Sequence, residues 1–281
     1  MMAKIKSYYI NIITVILLLV GSQCIAEEKG QESFTFGIVP QQAASKLAEL
    51  WMPLLDEVNR KSGVNLIFKT APNIPKFEAR LGRGLYDFAY MNPYHYTVFH
   101  DKVGYEATIK ELKKRIVGIV VVNKNSDIKD IKDLSGMSMA FPAPAAFAAT
   151  MLPLASFKSM GIEVKPVFVN SHDSVYRTVA GNIYSAGGGI QRTLKNIDPI
   201  IKQDLRILWK TKKYTPHAIA HHPRIKPETV AKIQQAILLL NDSNAGKKIL
   251  QALNFKGFET AENADWDDVR DLNVDLLKTE H

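Results

Sequence analysis

The order of strand-like and helix-like segments constrains the fold of this chain more than any other feature. Short apolar runs that indicate strands occupy residues 34–40, 64–69 and 86–91, and the stretches between them have helical spacing. In residues 43–60 the apolar side chains fall on one helical face, and Gly63 marks the predicted end of that helix. Regular alternation of strand and helix indicates an α/β fold in which a mostly parallel sheet is flanked by helices.

The same alternation of strands and helices begins again after a long apolar run at residues 116–122. This run fits a strand that crosses between two lobes. Residues 218–220 then start a return to the first lobe. We therefore expect two lobes, each a mostly parallel sheet flanked by helices, joined by extended hinge crossings. The first lobe is discontinuous, at residues 33–118 and 216–281, and the second lobe covers residues 119–215.

Three segments carry more detailed predictions. Residues 145–160 predict a single helix, and residues 264–278 predict the last helix of the chain. Residues 183–186 predict a strand that ends before the glycine run 187–189. Because glycine has no side chain, this run would let the backbone approach a ligand closely.

The N-terminal segment predicts export. Lys4 and Lys6 precede an apolar run at residues 10–20, and the small residue Ala26 ends the segment. This pattern indicates a cleaved signal peptide, since the apolar run is shorter than the about 20 residues that span a bilayer. We expect cleavage after Ala26 and a periplasmic location. An uncleaved membrane anchor and lipid anchoring at Cys24 are the alternatives.

Charge and composition argue against several classes of function. Cys24 is the only cysteine, so a chain cleaved after Ala26 would have neither disulfides nor cysteine-based zinc sites. The formal charge of +8 falls to +6 without Lys4 and Lys6, and no dense basic block with interleaved aromatics indicates nucleic-acid binding. The chain has no nucleophile elbow, zinc-protease motif or phosphate-binding loop. We therefore predict no catalytic residues, no cofactor and no metal.

Several polar residues stand where a ligand cleft would form, because ligands of open α/β sheets lie beyond the carboxyl ends of strands. Gln42 follows the first strand, and His172 begins a helix where it could donate to an oxyanion. Gln191 and Arg192 follow the glycine run, and an arginine can pair with an anion through two hydrogen bonds. His217 lies at the second crossing. Simple solvent exposure is the alternative for Gln42, His172 and Arg192.

Segments in order along the predicted mature chain resemble the phosphonate/phosphite-type periplasmic binding proteins of ABC importers. They are residues 36–40 (FGIVP), 86–94 (YDFAYMNPY), 133–136 (DLSG), 170–173 (NSHD), 180–182 (AGN), 246–253 (GKKILQAL) and 265–268 (DWDD). The resemblance implies the type II periplasmic-binding-protein fold, a small anionic ligand held between the lobes, and an ABC permease as partner. We expect a monomer.

The resemblance also implies particular site residues. Tyr94 matches the family's cleft-facing tyrosine, and His172 matches the histidine that contacts the anion. Where the family carries a run of Ser and Thr hydroxyls, this chain has Ala145, Ala146 and Phe147. Backbone N–H groups and the helix dipole would then remain to hold an anion, in a more apolar pocket. A less charged ligand is the alternative.

These features together predict a periplasmic protein that captures a small ligand and delivers it to an ABC importer. Two other functions fit the same fold. One is a ligand-sensing subunit that presents its closed form to a histidine kinase or another signalling receptor. The other is an enzyme that acts on a small metabolite.

Overall fold

A computed structural model of the protein describes residues 32–273 and contains two β-sheets with helices on their faces. The predicted signal peptide, residues 1–26, lies outside the described residues, as does Cys24 within it. Within residues 32–273 no helix combines the length and the apolar character needed to cross a membrane.

The described elements fall into three consecutive stretches. The first contains β1 (Ser33–Ile38), α1 (Ala44–Ser62), β2 (Asn65–Lys69), α2 (Ile74–Gly82), β3 (Phe88–Met91), α3 (Pro93–Val103) and β4 (Glu106–Glu111). The second contains β5 (Gly118–Asn123), a 3-10 turn (Ile131–Leu134), β6 (Ser138–Phe141), a π turn (Phe147–Met151), α4 (Leu152–Ser159), β7 (Lys165–Phe168), α5 (His172–Ala180), β8 (Ala186–Ile190), α6 (Gln191–Asn196), α7 (Pro199–Lys202) and β9 (Leu205–Lys210). The third contains β10 (Ala218–His221), α8 (Pro227–Leu238), a 3-10 turn (Leu239–Asn241), α9 (Asn244–Ala252), β11 (Phe258–Thr260), a 3-10 turn (Asn263–Trp266) and α10 (Asp267–Arg270).

The first sheet has the strand order β11-β4-β10-β3-β1-β2. β1 pairs in parallel with β2 and β3, whereas β10 runs antiparallel to β3 and β4. Helix α1 covers this sheet with the apolar face that its spacing predicts. Its Trp51 ring lies 4.6 Å from the ring of Tyr90 and 6.3 Å from that of Phe36, so an aromatic cluster fixes the helix on the sheet.

The second sheet has the strand order β7-β6-β8-β5-β9. Its central strand β8 contains three buried glycines, which allow close packing of helix α5. A Cβ on Gly187 would lie 2.4 Å from the side chain of Val175, and a Cβ on Gly189 would lie 2.3 Å from the Tyr176 hydroxyl. Any side chain at these positions would push the helix away from the strand.

Two extended crossings, residues 112–117 and 211–217, connect the sheets. They run side by side, because Ile116 N–H donates to the Tyr214 carbonyl at 2.7 Å and Tyr214 N–H donates to the Ile116 carbonyl at 3.0 Å. A paired crossing of this kind lets two compact halves rotate about a short segment while their cores stay intact.

The expectation of mostly parallel sheets needs correction, because both sheets are mixed. β1, β2 and β3 are parallel in the first sheet, as are β6, β7 and β8 in the second. The strands next to the crossings, β4, β5, β9 and β10, pair antiparallel with their neighbours. When a chain leaves a sheet and later returns to it, the returning strand runs opposite to the strand that left. The local alternation of strands and helices in the sequence does not reveal this direction.

Three local predictions are also wrong in detail. The glycine run belongs to strand β8 and not to a loop, because the strand begins three residues later than predicted. The helix predicted at residues 145–160 is a π turn followed by α4. The last predicted helix is short, with α10 ending at Arg270, and residues 274–281 lie outside the described residues.

Candidate functional site at the boundary between the sheets

The alanine-rich loop after β6 lies directly on the backbone of the second sheet. A Cβ on Gly118 would lie 1.9 Å from the Ala148 carbonyl oxygen, and a Cβ on Gly188 would lie 1.9 Å from the Ala149 carbonyl oxygen. Neither glycine has a positive φ. Glycine is therefore required at both positions because a side chain has no space there, and not because of the backbone conformation. The absence of two side chains in the sheet therefore fixes the position of the loop.

Asn92 joins the first sheet to this loop. Its Oδ1 accepts a 2.7 Å hydrogen bond from His95 N–H and caps helix α3, while its Nδ2 donates to the Ala145 carbonyl at 3.0 Å. Phe147 is 1% exposed, and its ring stands edge-on to Tyr214 in the second crossing, with centres 5.7 Å apart. Asn92 and Phe147 thus tie the loop to both sides of the boundary.

A buried polar network crosses the same boundary. Gln41, just after β1, has its Nε2 3.0 Å from His217 Nε2, and its Oε1 accepts a 3.1 Å hydrogen bond from the Arg192 guanidinium. The Gln41 carbonyl accepts a 3.2 Å hydrogen bond from His172 N–H. Gln41 and His217 adjoin strands of the first sheet, whereas Arg192 and His172 adjoin strands of the second. These bonds therefore hold the two sheets together.

Arg192 makes the most extensive contact in the network. Its Cζ lies 5.5 Å from the centre of the Tyr90 ring and 5.1 Å from that of Phe255. Its Nη1 lies 3.6 Å from Glu111 Oε2. All of these partners belong to the first-sheet side, while Arg192 follows β8 of the second sheet. A planar guanidinium that stacks on rings and pairs with a carboxylate is well suited to this anchoring role.

Two histidines of the network are neutral. Burial, and after it the charge of Arg192, lowers the pKa of His172 to about 3. The same two causes hold the pKa of His217 well below its usual range. The Gln41 amide nitrogen can only donate, so His217 Nε2 accepts the hydrogen bond between them. At neutral pH these rings therefore add hydrogen-bonding groups but no positive charge.

Two adjoining cavities lie at the boundary and share Ile116, Ile190 and His217 as lining residues. The smaller one, beside Phe147 and His172, has a volume of about 10 Å³, which is roughly the space for one water molecule. The larger one lies beside the two crossings and has a volume of about 240 Å³. Its other lining residues are Glu111, Lys114, Arg115, Val117, Gln191, Arg192, Lys213 and Pro216.

Comparison with protein families identifies the chain. A single family model matches residues 36–266, which is nearly all of the described chain. Its description is ABC transporter, phosphonate, periplasmic substrate-binding protein. The chain belongs to this family. Members are binding proteins of import systems and not enzymes, so this phosphonate-family binding protein is a periplasmic component that works with a small-molecule ligand and an ABC transporter.

Individual relatives agree with the family. The phosphate-import protein PhnD of Mycolicibacterium smegmatis is 20% identical over 254 residues, which cover 77% of each chain. A binding protein component of an ABC phosphonate transporter from Pseudomonas aeruginosa has a TM-score of 0.80 at 16% identity and covers 86% of each chain. PhnD1 of Prochlorococcus marinus, solved with methylphosphonate, has a TM-score of 0.78 at 17% identity, covering 86% of this chain and 97% of PhnD1. The predicted type II periplasmic-binding-protein fold is confirmed.

Most of the residues predicted to bind ligand in this phosphonate-family binding protein lie at the boundary. Ala146, Phe147, His172 and His217 line the smaller cavity. Gln191 and Arg192, again with His217, line the larger one. Ala145 contributes the carbonyl that accepts from Asn92.

Two predicted residues lie away from both cavities. Tyr94 is 3% exposed and sits in the first turn of α3, but it lines neither cavity. Gln42 is 6% exposed, and its amide lies near the Asp173 carboxyl group, whose pKa burial raises. The neighbouring residue, Gln41, carries the side chain that reaches His217 and Arg192.

Several residues of the site are not among those that the sequence predicts. Gln41 and Asn92 follow strands β1 and β3, and their position at strand ends is the signal that could have found them. Glu111, Lys114 and Arg115 lie at or just after the end of β4, whose alternating sequence EATIKE reads only weakly as a strand. Without that strand, nothing in the sequence places these charges beside the cleft.

Proposed function

We propose that this protein captures a small anionic ligand, a phosphonate- or phosphite-like oxyanion, between two lobes and delivers it to an ABC importer. We propose the lobe bounds that the sequence predicts, which are residues 33–118 with 216–281 for one lobe and residues 119–215 for the other. Two relatives support the ligand class, since PhnD1 is solved with methylphosphonate and the mycobacterial PhnD is named a phosphate-import protein.

The observation that carries the proposal is the larger cavity at the boundary. It has a volume of about 240 Å³ and is lined from both sides by Lys114, Arg115, Arg192 and Lys213. Cations in a cleft raise the local concentration of anions and can form charge-assisted hydrogen bonds to an oxyanion. These side chains replace, at a different place in the cleft, the hydroxyl groups that the alanine-rich loop lacks.

The same geometry suggests how ligand and transporter communicate. A ligand that contacts both lobes favours the closed arrangement by its difference in affinity for the closed and open forms. The paired crossings supply the hinge, and the Arg192–Gln41 hydrogen bond supplies a contact that opening would break. The transporter would then recognise the closed surface.

Location and assembly are part of the proposal. We propose that the signal peptide is cleaved after Ala26, that Cys24 is therefore absent from the mature protein, and that the mature protein is a monomer. Mass spectrometry of protein recovered from a bacterial periplasm tests the cleavage site, and light scattering tests the monomer. A mature N-terminus at Cys24 with added lipid mass would instead establish anchoring.

Calorimetric titration and thermal unfolding of the periplasmic protein test the ligand class. The ligands are methylphosphonate, phosphite and phosphate, with sulfate as a less favoured anion. A bound ligand at about 100 times its dissociation constant should stabilise the protein by about 2.7 kcal/mol. Arg192→Gln should weaken binding, whereas Lys195→Gln, which removes the same charge from the exposed face of α6, should not. If no oxyanion binds to the folded protein, the proposal fails.

A further inference from the structure

We infer that the cleft is specific for a ligand with two anionic groups, namely a phosphonate joined by a short aliphatic chain to a carboxylate. This inference rests on the proposed function and concerns the same larger cavity. Three features of that cavity carry it: an excess of cations, a buried carboxyl group that neutralises them poorly, and apolar residues among the lining.

The cavity walls carry more positive than negative charge. Lys114, Arg115, Arg192 and Lys213 line the cavity together with a single carboxyl group, Glu111. Arg115 is paired with Asp268 outside the cavity. With the Asp268 carboxylate counted as well, four cations still face only two carboxyl groups.

The pairing within the cavity is loose. Glu111 Oε2 is 3.6 Å from Arg192 Nη1, and Glu111 Oε1 is 3.6 Å from Lys114 Nζ, which is beyond normal hydrogen-bonding distance. Lys213 forms no ion pair with any residue in the described range 32–273. At least one cation at the mouth of the cavity is therefore available to a second anionic group of a ligand.

Glu111 neutralises its neighbours less than an exposed carboxylate would. Its side chain is 5% exposed, and its Oε1 accepts no hydrogen bond from residues 32–273. Burial raises its pKa, and the charges of Arg192 and Lys114 oppose that rise. Because burial favours the neutral form of Glu111, this carboxyl group offsets less of the positive charge that Arg192 and Lys114 bring to the cavity.

The cations of the cavity differ in exposure, and apolar residues lie among them. Arg192 is 16% exposed, whereas Lys213 and Arg115 are exposed residues of the two crossings. Ile116, Ile190 and Pro216 line the same cavity. A phosphonate near Arg192 and Gln191 would leave a chain of one or two methylene groups to pack against these apolar residues and a carboxylate to reach Lys213.

Calorimetric titration with four ligands tests the inference: methylphosphonate, ethylphosphonate, phosphonoacetate and 3-phosphonopropionate. We expect the two phosphonocarboxylates to bind about tenfold tighter than the alkyl phosphonates, the effect of one additional charge-assisted hydrogen bond. Lys213→Gln should remove this preference, so that phosphonoacetate binds no tighter than methylphosphonate. Lys212→Gln, the adjacent exposed lysine outside the cavity lining, is the matched control and should keep the preference.

The outcomes separate the inference from the proposed function. Failure of all phosphonates to bind would overturn both. Equal affinity for methylphosphonate and phosphonoacetate would leave the oxyanion-binding function in place and overturn the inference. Equal loss of the preference in Lys212→Gln and Lys213→Gln would also overturn it, because the effect would then come from overall charge and not from the cavity.

Discussion

Arg192 provides the sharpest test of how the two lobes are held together. Its guanidinium donates to Gln41, lies over the rings of Tyr90 and Phe255, and is 3.6 Å from Glu111, all across the lobe boundary. Arg192→Gln keeps a polar side chain but removes the charge and both ring interactions. We expect the variant to open in the absence of ligand while each lobe stays folded.

The size of the effect can be worked out from the interactions that the guanidinium makes. A hydrogen bond from a charged donor contributes about 1.5–3 kcal/mol, and a cation–π interaction contributes about 0.5–2 kcal/mol according to its exposure. The new amide can restore part of this to Gln41, but the buried Glu111 loses one of its two positive neighbours and keeps only Lys114. A net destabilisation of about 3 kcal/mol would shift the closed–open equilibrium about a hundredfold toward the open form.

Small-angle X-ray scattering measures this shift directly as an increase in the radius of gyration. Wild-type protein and Lys195→Gln, which removes the same charge from the exposed side of the same helix, should remain compact without ligand. Circular dichroism confirms that both variants are folded. If Arg192→Gln is as compact as wild type, the guanidinium does not hold the lobes together, and the contacts of Asn92 and Phe147 must suffice.

Three further predictions concern stability. Asn92→Ala removes a helix cap and a hydrogen bond to the alanine-rich loop, so the free energy of unfolding in urea should fall by about 2 kcal/mol. Because burial lowers the pKa of His172 to about 3 in the folded protein, protonation of the unfolded chain should cost wild type about 2 kcal/mol between pH 7 and pH 5, a loss that His172→Gln removes. Gly188→Ala would place a Cβ 1.9 Å from the Ala149 carbonyl oxygen and should destabilise the protein by about 3 kcal/mol in calorimetry, whereas Gly82→Ala, with its nearest contact at 3.6 Å, should not.

Each of these predictions has a contrary result. Unchanged stability of Asn92→Ala would mean that water replaces both hydrogen bonds. Equal pH dependence for His172→Gln and wild type would mean that carboxyl groups or His217 dominate the titration. A Gly188→Ala variant as stable as wild type would mean that the alanine-rich loop moves without cost.

The two-lobed α/β fold was predictable from the sequence because strand and helix periodicities are local properties. The strands β4 and β11 could not be predicted from the sequence. β4 has charged residues at both ends, and β11 is three residues long, so neither gives a clear pattern. The mixed direction of the sheets was equally hidden, because strand direction depends on which distant segments pair.

The sequence predicts those residues of the site that follow the ends of strands. The sequence indicated Arg192, His172 and His217, whose residue types suit anion recognition, and the structure places all three at the boundary. The sequence could not indicate that Arg192 lies over the rings of Tyr90 and Phe255 and beside Glu111, since these partners lie at least 63 residues away in the chain. Pairing over such separations is decided by topology, and local sequence patterns carry no information about it.

The strand order of the first sheet determines the sequence in which the protein can assemble as it emerges from an export channel. β10 lies between β3 and β4, and it becomes available only after residue 221 has emerged. All strands of the second sheet, by contrast, come from the continuous segment 118–210. The second lobe can therefore complete its sheet first, while β3 is paired only with β1 and β4 still lacks both of its partners, β10 and β11.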